Sequence, residues 1–150
     1  NIMDLNQILD QWENHDCKID SLRLEQASHD TPPLHAKYLR LHSQAKMKLA
    51  KLEIEQKTLL KDKWLYYNGK MTKDQIEQRG WQYDPFDGLK ILKSEMNYFY
   101  DSDSDLQNSQ AKIAYMKEVV DVLKAIIDSL KWRQQTVKNI IDIKKFESGG

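Results

Sequence analysis

Chemistry is densest in one short run of the chain, Leu60-Lys61-Asp62-Lys63-Trp64-Leu65-Tyr66-Tyr67-Asn68-Gly69-Lys70. Three lysines alternate there with three aromatic residues, and Lys57 lies one helical turn upstream. Single-stranded nucleic acid is held by these two kinds of group, cations for the phosphates and ring faces on which bases stack. The expected roles are phosphate contact by Lys57, Lys61, Lys63 and Lys70, and stacking by Trp64, Tyr66 or Tyr67. The same run also fits a second reading, in which the aromatics plug a helix–loop junction and the lysines are solvated.

Other chemistries fail at the residues they need. Asp101, Asp103 and Asp105 resemble the opening of a calcium loop, but Leu106 stands where glycine is required and Lys112 where glutamate is. Helix capping accounts for them better. His35 and His42 are seven apart, whereas zinc-binding helices place histidines four apart. Cys17 is the single cysteine, so no intramolecular disulfide or cysteine-rich metal site is possible. No phosphate loop, nucleophile elbow or supported acid pair is present. The chain reads as a non-enzyme without metal or cofactor.

The elements that position the basic run are helices. Glycine (5) and proline (3) are scarce among 150 residues, and hydrophobic content is 40%. A mean hydropathy of −0.75 leaves little apolar surface for a core, which points to help from self-association. Net charge is zero but segregated: −5 over residues 1–33, +6 over 34–79, −4 over 80–110 and +3 over 111–150. One surface is thus free to be strongly positive, or the blocks neutralise one another. No apolar run approaches the ~20 residues of a membrane span, so a soluble protein of a reducing compartment is expected. Asn1-Ile2 ahead of Met3 reads either as a cloning remnant or as the natural start.

The four charge blocks serve as provisional regions of a single domain. Residues 1–33 hold one or two short amphipathic helices, with Leu5, Ile8, Leu9 and Trp12 at helical spacing. Thr31-Pro32 reads as an N-cap and first helical residue, opening a helix from Leu34 to Tyr67 that Asn68-Gly69 stops. At ~1.5 Å per residue it is roughly 50 Å long, with Leu34, Tyr38, Leu41, Ala45, Leu49, Leu52, Leu59 and Leu60 on one face. Residues 70–110 are irregular: Thr72 caps a short helix through Arg79, and Leu89–Tyr100 fits helix or strand. A last helix runs from about Leu106 to Phe146. Its heptad column, Met116, Val120, Leu123, Ile127, Leu130, Gln134, Val137 and Ile141, is apolar in seven of eight positions. Val119, Ile126 and Ile140 widen it beyond a two-stranded seam. The apolar members are the expected oligomer interface, and an internal core strip is the alternative.

The run Leu60–Lys70 resembles the basic, Tyr-Tyr-containing segment of the UvsY-type recombination mediators of T-even-like bacteriophages. Ile19-Asp20-Ser21, Leu41-His42-Ser43, Lys93-Ser94-Glu95-Met96 and Phe146-Glu147-Ser148-Gly149 stand in family-like order. Asp62 and Lys63 depart from the family pattern, which has a small residue and an arginine there, and the Met71–Gly88 connection is longer. The resemblance implies an all-α fold, with room for a small β-hairpin or irregular insert, assembled into a ring of six or seven subunits. It implies a mediator, in the host cytoplasm, that binds single-stranded DNA, loosens the phage single-strand-binding protein and loads a RecA-like phage recombinase. A helical adaptor whose basic helix binds acidic protein surfaces is the rival reading.

Overall fold

The computed structural model describes residues 3–149, so Asn1, Ile2 and Gly150 lie outside it. Every regular element among the described residues is helical: α1 (Leu5–Gln11), α2 (Leu24–Tyr67), α3 (Lys73–Gln78), α4 (Met96–Ser102), α5 (Ser104–Leu130) and α6 (Arg133–Glu147). No strand occurs among them. No helix is long and apolar enough to cross a membrane, and no group of three or more potential metal ligands occurs among the described residues. Two compact units divide the chain, one comprising residues up to Lys48 and from Tyr115 onward, the other Leu49–Ala114.

In the first unit, α1 opens on a reciprocal capping box between Asp4 and Gln7. The chain continues into a π-helical turn, Trp12–Asp16, closed by Cys17 N–H on the Trp12 carbonyl at 2.9 Å. Ile8, Ala27, Tyr38 and Ala45 are buried, as are Met116, Val119, Leu123, Ile126, Ile127, Leu130 and Val137. The Tyr38 hydroxyl donates to Asp16 at 2.6 Å beside Lys37 Nζ, also 2.6 Å from that carboxylate.

Two helix boundaries differ from the sequence reading. The first concerns Thr31 and Pro32: α2 begins at Leu24 and carries Pro32 and Pro33 in its interior. Thr31 is no N-cap; its hydroxyl is buried and donates back to the Ala27 carbonyl at 3.0 Å. Proline at 32 has no N–H for the carbonyl four residues back, which is Ser28. Gln134 supplies the missing donor, its Nε2 lying 3.1 Å from the Ser28 carbonyl. The one polar member of the heptad column thus repairs a helix that proline would otherwise interrupt. The second difference is a turn at Lys131-Trp132, which divides the expected C-terminal helix into α5 and α6. Neither glycine nor proline marks that break; it coincides with burial of Arg133, whose guanidinium donates to the carbonyls of Asp16 and Lys18.

In the second unit, Thr72 caps α3, as the sequence implied, and the structure adds Gln75 as its capping-box partner. The aromatic stretch near residue 98 is helical, in α4. Asp103 caps α5 by accepting the Leu106 N–H at 2.9 Å. Around Tyr66, Tyr67 and Ile76 pack Met71, Trp81, Phe86, Met96, Phe99 and Tyr100.

Candidate nucleic-acid interface

The basic run ends α2, and the way α2 stops determines what faces out. Gly69 adopts φ +68°, the left-handed conformation that glycine takes without a Cβ clash. Lys70 N–H then reaches the Leu65 carbonyl at 2.8 Å and Gly69 N–H the Tyr66 carbonyl at 3.3 Å, closing the helix in a Schellman motif. The turn brings Lys70 back over its own helix, with Nζ 5.7 Å from the Trp64 ring centre. Gly80 (φ +71°) repeats the device after α3, Trp81 N–H bonding the Ile76 carbonyl at 3.2 Å, and delivers Trp81 to the cluster.

On its inward side the run is a closed network. Lys63 is 3% exposed, its Nζ 2.9 Å from both Asp103 and Asp105 and 3.8 Å from the Trp81 ring centre. Tyr67 donates to the same Asp103 carboxylate at 2.6 Å, and Tyr66 to the Gln82 carbonyl at 2.5 Å. Their rings meet edge to face at 4.9 Å, with Trp81 5.1 Å from Tyr66 and Tyr100 5.3 Å from Tyr67. Burial, and then the hydrogen bond to Asp103, push the Tyr67 hydroxyl far above the usual tyrosine range. Burial raises Tyr66 as well, reinforced by the charges of Asp103 and Asp84. For Asp103 burial works upward, but hydrogen bonds from Tyr67, the Leu106 amide and Lys63, with the lysine charge, outweigh it and hold the carboxyl below its ordinary value. Arg79 pairs with Asp62 and stacks 5.0 Å from the Trp81 ring.

On the outward side lie Lys57, Lys61 and Trp64, all exposed. Spacings of four and three residues place them on one helix face. Trp64 is 48% exposed, and Leu60 beside it is 47% exposed, off the apolar face on which it was expected. With Lys70 over its ring, this makes a half-open indole that has further cations one and two turns upstream on the same face. Lys73 and Tyr83 form a similar exposed pair, 5.4 Å from amine to ring centre.

The seven residues expected to contact DNA therefore divide. Lys57, Lys61, Trp64 and Lys70 share the open face. Lys63, Tyr66 and Tyr67 are corrected to interior positions, because a 3%-exposed ammonium with two carboxylate partners and two rings under 10% exposed have no surface to offer. The missed partners, Asp103, Asp105 and Trp81, are 18 to 42 residues away along the chain, where no local pattern signals them. Of the expected oligomer interface, Met116, Leu123, Ile127, Leu130 and Val137 are buried within one chain, whereas Val120 and Ile141 are half-buried. What stays exposed near the C-terminus is Trp132 (71%), Ile143 (57%) and Phe146 (86%), on one face of α6 and its preceding turn.

A family model described as "Recombination, repair and ssDNA binding protein UvsY" matches residues 11–150. The chain belongs to the UvsY family. It is 27% identical over 134 residues to the recombination protein UvsY of Enterobacteria phage T4, covering 89% of this chain and 90% of that relative. A crystal structure of the T4 recombination mediator protein UvsY superposes with a TM-score of 0.79 at 26% identity, covering 98% and 99% of the two chains. A second crystal form of the same T4 protein gives 0.76 at 27% identity, covering 93% and 98%. The all-α fold and the UvsY-type identity read from the Leu60–Lys70 run agree with these findings.

Proposed function

We propose that this UvsY-type recombination mediator holds single-stranded DNA on the outer face of the α2 C-terminus, phosphates on Lys57, Lys61 and Lys70 and a base on Trp64. The observation that carries the reading is the half-exposed Trp64 indole with cations one turn away, two turns away and over its ring. Lys63, Tyr66 and Tyr67 position this face by closing the network behind it and touch no strand. Side-chain length suits lysine to tracking a backbone, and a stacked indole accepts any base, so binding is sequence-tolerant. Family membership supports the further roles: displacing the phage single-strand-binding protein and loading a RecA-like recombinase in the host cytoplasm. Self-association into a hexameric or heptameric ring is supported by the exposed stripe of Trp132, Ile143 and Phe146, which lacks cover within one chain. Several weak sites on one particle then act together through avidity.

Anisotropy titrations with a fluorescent oligonucleotide at a series of salt concentrations test the proposal. Three phosphate contacts per subunit predict log affinity falling with log salt at a slope of roughly −2 per engaged subunit. Equal affinity for unrelated sequences is expected. A slope of zero, or strong preference for one sequence, refutes the reading.

A further inference from the structure

Arg133 poses a problem of charge that the DNA face leaves unsolved. Its side chain is 8% exposed at the start of α6, and Nη1 and Nη2 donate to the carbonyls of Asp16 and Lys18 at 3.2 and 3.4 Å. The Asp16 carbonyl ends the π-helical turn and the Lys18 carbonyl follows its C-cap, so the guanidinium offsets the negative end of a helical segment. No carboxylate lies within ion-pairing distance of it among the described residues. Its Nε is the one buried side-chain polar atom without a hydrogen-bond partner among them. A buried cation bonded only to neutral carbonyls is costly to maintain, and guanidinium is built to grip an oxyanion through a planar fork.

Space for such an anion adjoins it. Arg133 shares with His15, Lys18, Asp30, Pro33 and Lys37 the wall of an open cavity of about 290 Å³. The carboxylates on that wall are already engaged. Asp16 is held by Lys37 and the Tyr38 hydroxyl, both at 2.6 Å, and Asp30 accepts from Gln26 at 2.7 Å. Lys18 is exposed and has no ion-pair partner among the described residues. Three fixed cations (Lys18, Lys37, Arg133) thus face two carboxylates (Asp16, Asp30), a formal excess of one positive charge before His15 is counted.

We propose that this cavity is an oxyanion site for a phosphate group, held by the N–H groups of Arg133 that the two carbonyls leave free, with Lys18 as second cation. A tetrahedral phosphate offers oxygens in several directions and so accepts from both cations at once. All these residues belong to the first unit, while Lys57–Lys70 belong to the second, so the site stands independently of the DNA face. The phosphate comes from a nucleic-acid backbone or from the free ion; the chemistry of the grip is the same.

The full-length protein is melted in sodium phosphate and in sodium chloride at matched ionic strength, and inorganic phosphate binding is followed by ³¹P line width. Phosphate is expected to raise the melting midpoint above chloride in a concentration-dependent way, as ligand linkage requires. In Lys18→Ala the chloride midpoint stays as in the parent, while the apparent Kd for phosphate rises about tenfold. Arg133→Lys, compared with its own chloride midpoint, weakens phosphate binding by at least as much, because charge remains and the free guanidinium N–H groups are lost. An oligonucleotide that displaces ³¹P-detected phosphate identifies the backbone as the source, and one that does not identifies the free ion; either supports the site. No excess stabilisation by phosphate over chloride, or an unchanged Kd in Lys18→Ala, overturns it and leaves Arg133 as a helix cap alone.

Discussion

Replacing Lys63 with methionine separates the surface from what lies behind it. The amine sits 2.9 Å from Asp103 and Asp105 and is 3% exposed, so methionine keeps the stem's packing and strips both carboxylates of their counter-charge. Breaking a buried pair from one side costs about 3–5 kcal/mol. The lower end applies here: the Asp105 side chain is 44% exposed and relaxes into water, and Asp103 retains its bonds from Tyr67 and the Leu106 amide. A loss of about 3 kcal/mol lowers the melting midpoint of a chain this size by roughly 6–12 °C. Lys61→Ala is the control on the opposite face, expected to leave the midpoint unchanged and to flatten the salt slope by about 0.7. Both variants are followed by circular dichroism melts and by oligonucleotide anisotropy well below the midpoint. If Lys63→Met melts with the parent but flattens the salt slope, the amine faces DNA and the interior assignment is wrong.

Trp64→Ala is expected to weaken oligonucleotide binding by about 1–3 kcal/mol without altering the salt slope, measured by the same anisotropy titration; an altered slope refutes stacking. Gln134→Leu, which fits the heptad column better by composition, is expected to destabilise the protein by about 0.5–1.5 kcal/mol in urea titrations, because the Ser28 carbonyl loses its donor. Stability should also fall at both pH extremes. Asp103 is depressed in the fold, so its contribution holds above the ordinary 3.8 and is lost as pH drops below it; Tyr67 is raised, so its contribution holds below 10 and is lost as pH climbs above. Denaturant midpoints across pH that stay level through both limits contradict the network. For assembly, Phe146→Asp with Ile143→Asp is expected to yield smaller folded particles by light scattering, whereas Ile127→Asp unfolds the chain, since Ile127 is buried inside it; an Ile127→Asp chain that stays folded but dissociates restores the heptad column as the interface.

Local signals were readable wherever a few adjacent residues settle the matter. Thr72 announced α3, the Asp101–Asp105 run announced the start of α5, and Asn68-Gly69 announced the end of α2. Periodicity likewise identified Tyr38, Ala45, Leu52 and the Met116–Val137 column as apolar faces. It could not tell whether a face packs within a chain or between chains, since the spacing is the same for both. The site was legible as a segment but not as a surface. Lysine and tyrosine serve equally in a salt-linked interior and on an open face, and the choice at Lys63 and Tyr67 is made by Asp103, 40 and 36 residues away. The segregated charge blocks did carry that information in coarse form. Lys63 meets acids of the 80–110 block and Lys37 meets Asp16 of the first block, so part of the positive excess is neutralised at home.

The Ser28–Gln134 bond also sets a timetable. Its partners are 106 residues apart, and the donor lies in α6, which is synthesised long after the start of α2. Residues 24–31 cannot complete their hydrogen bonding within the fold while Pro32 withholds its N–H and Gln134 is still unmade. A nascent chain therefore carries the start of α2 open until α6 arrives, whereas the aromatic cluster of residues 66–100 closes over far shorter separations. Closure order therefore differs from synthesis order: the aromatic cluster closes before α6 is made, and the start of α2 waits for α6.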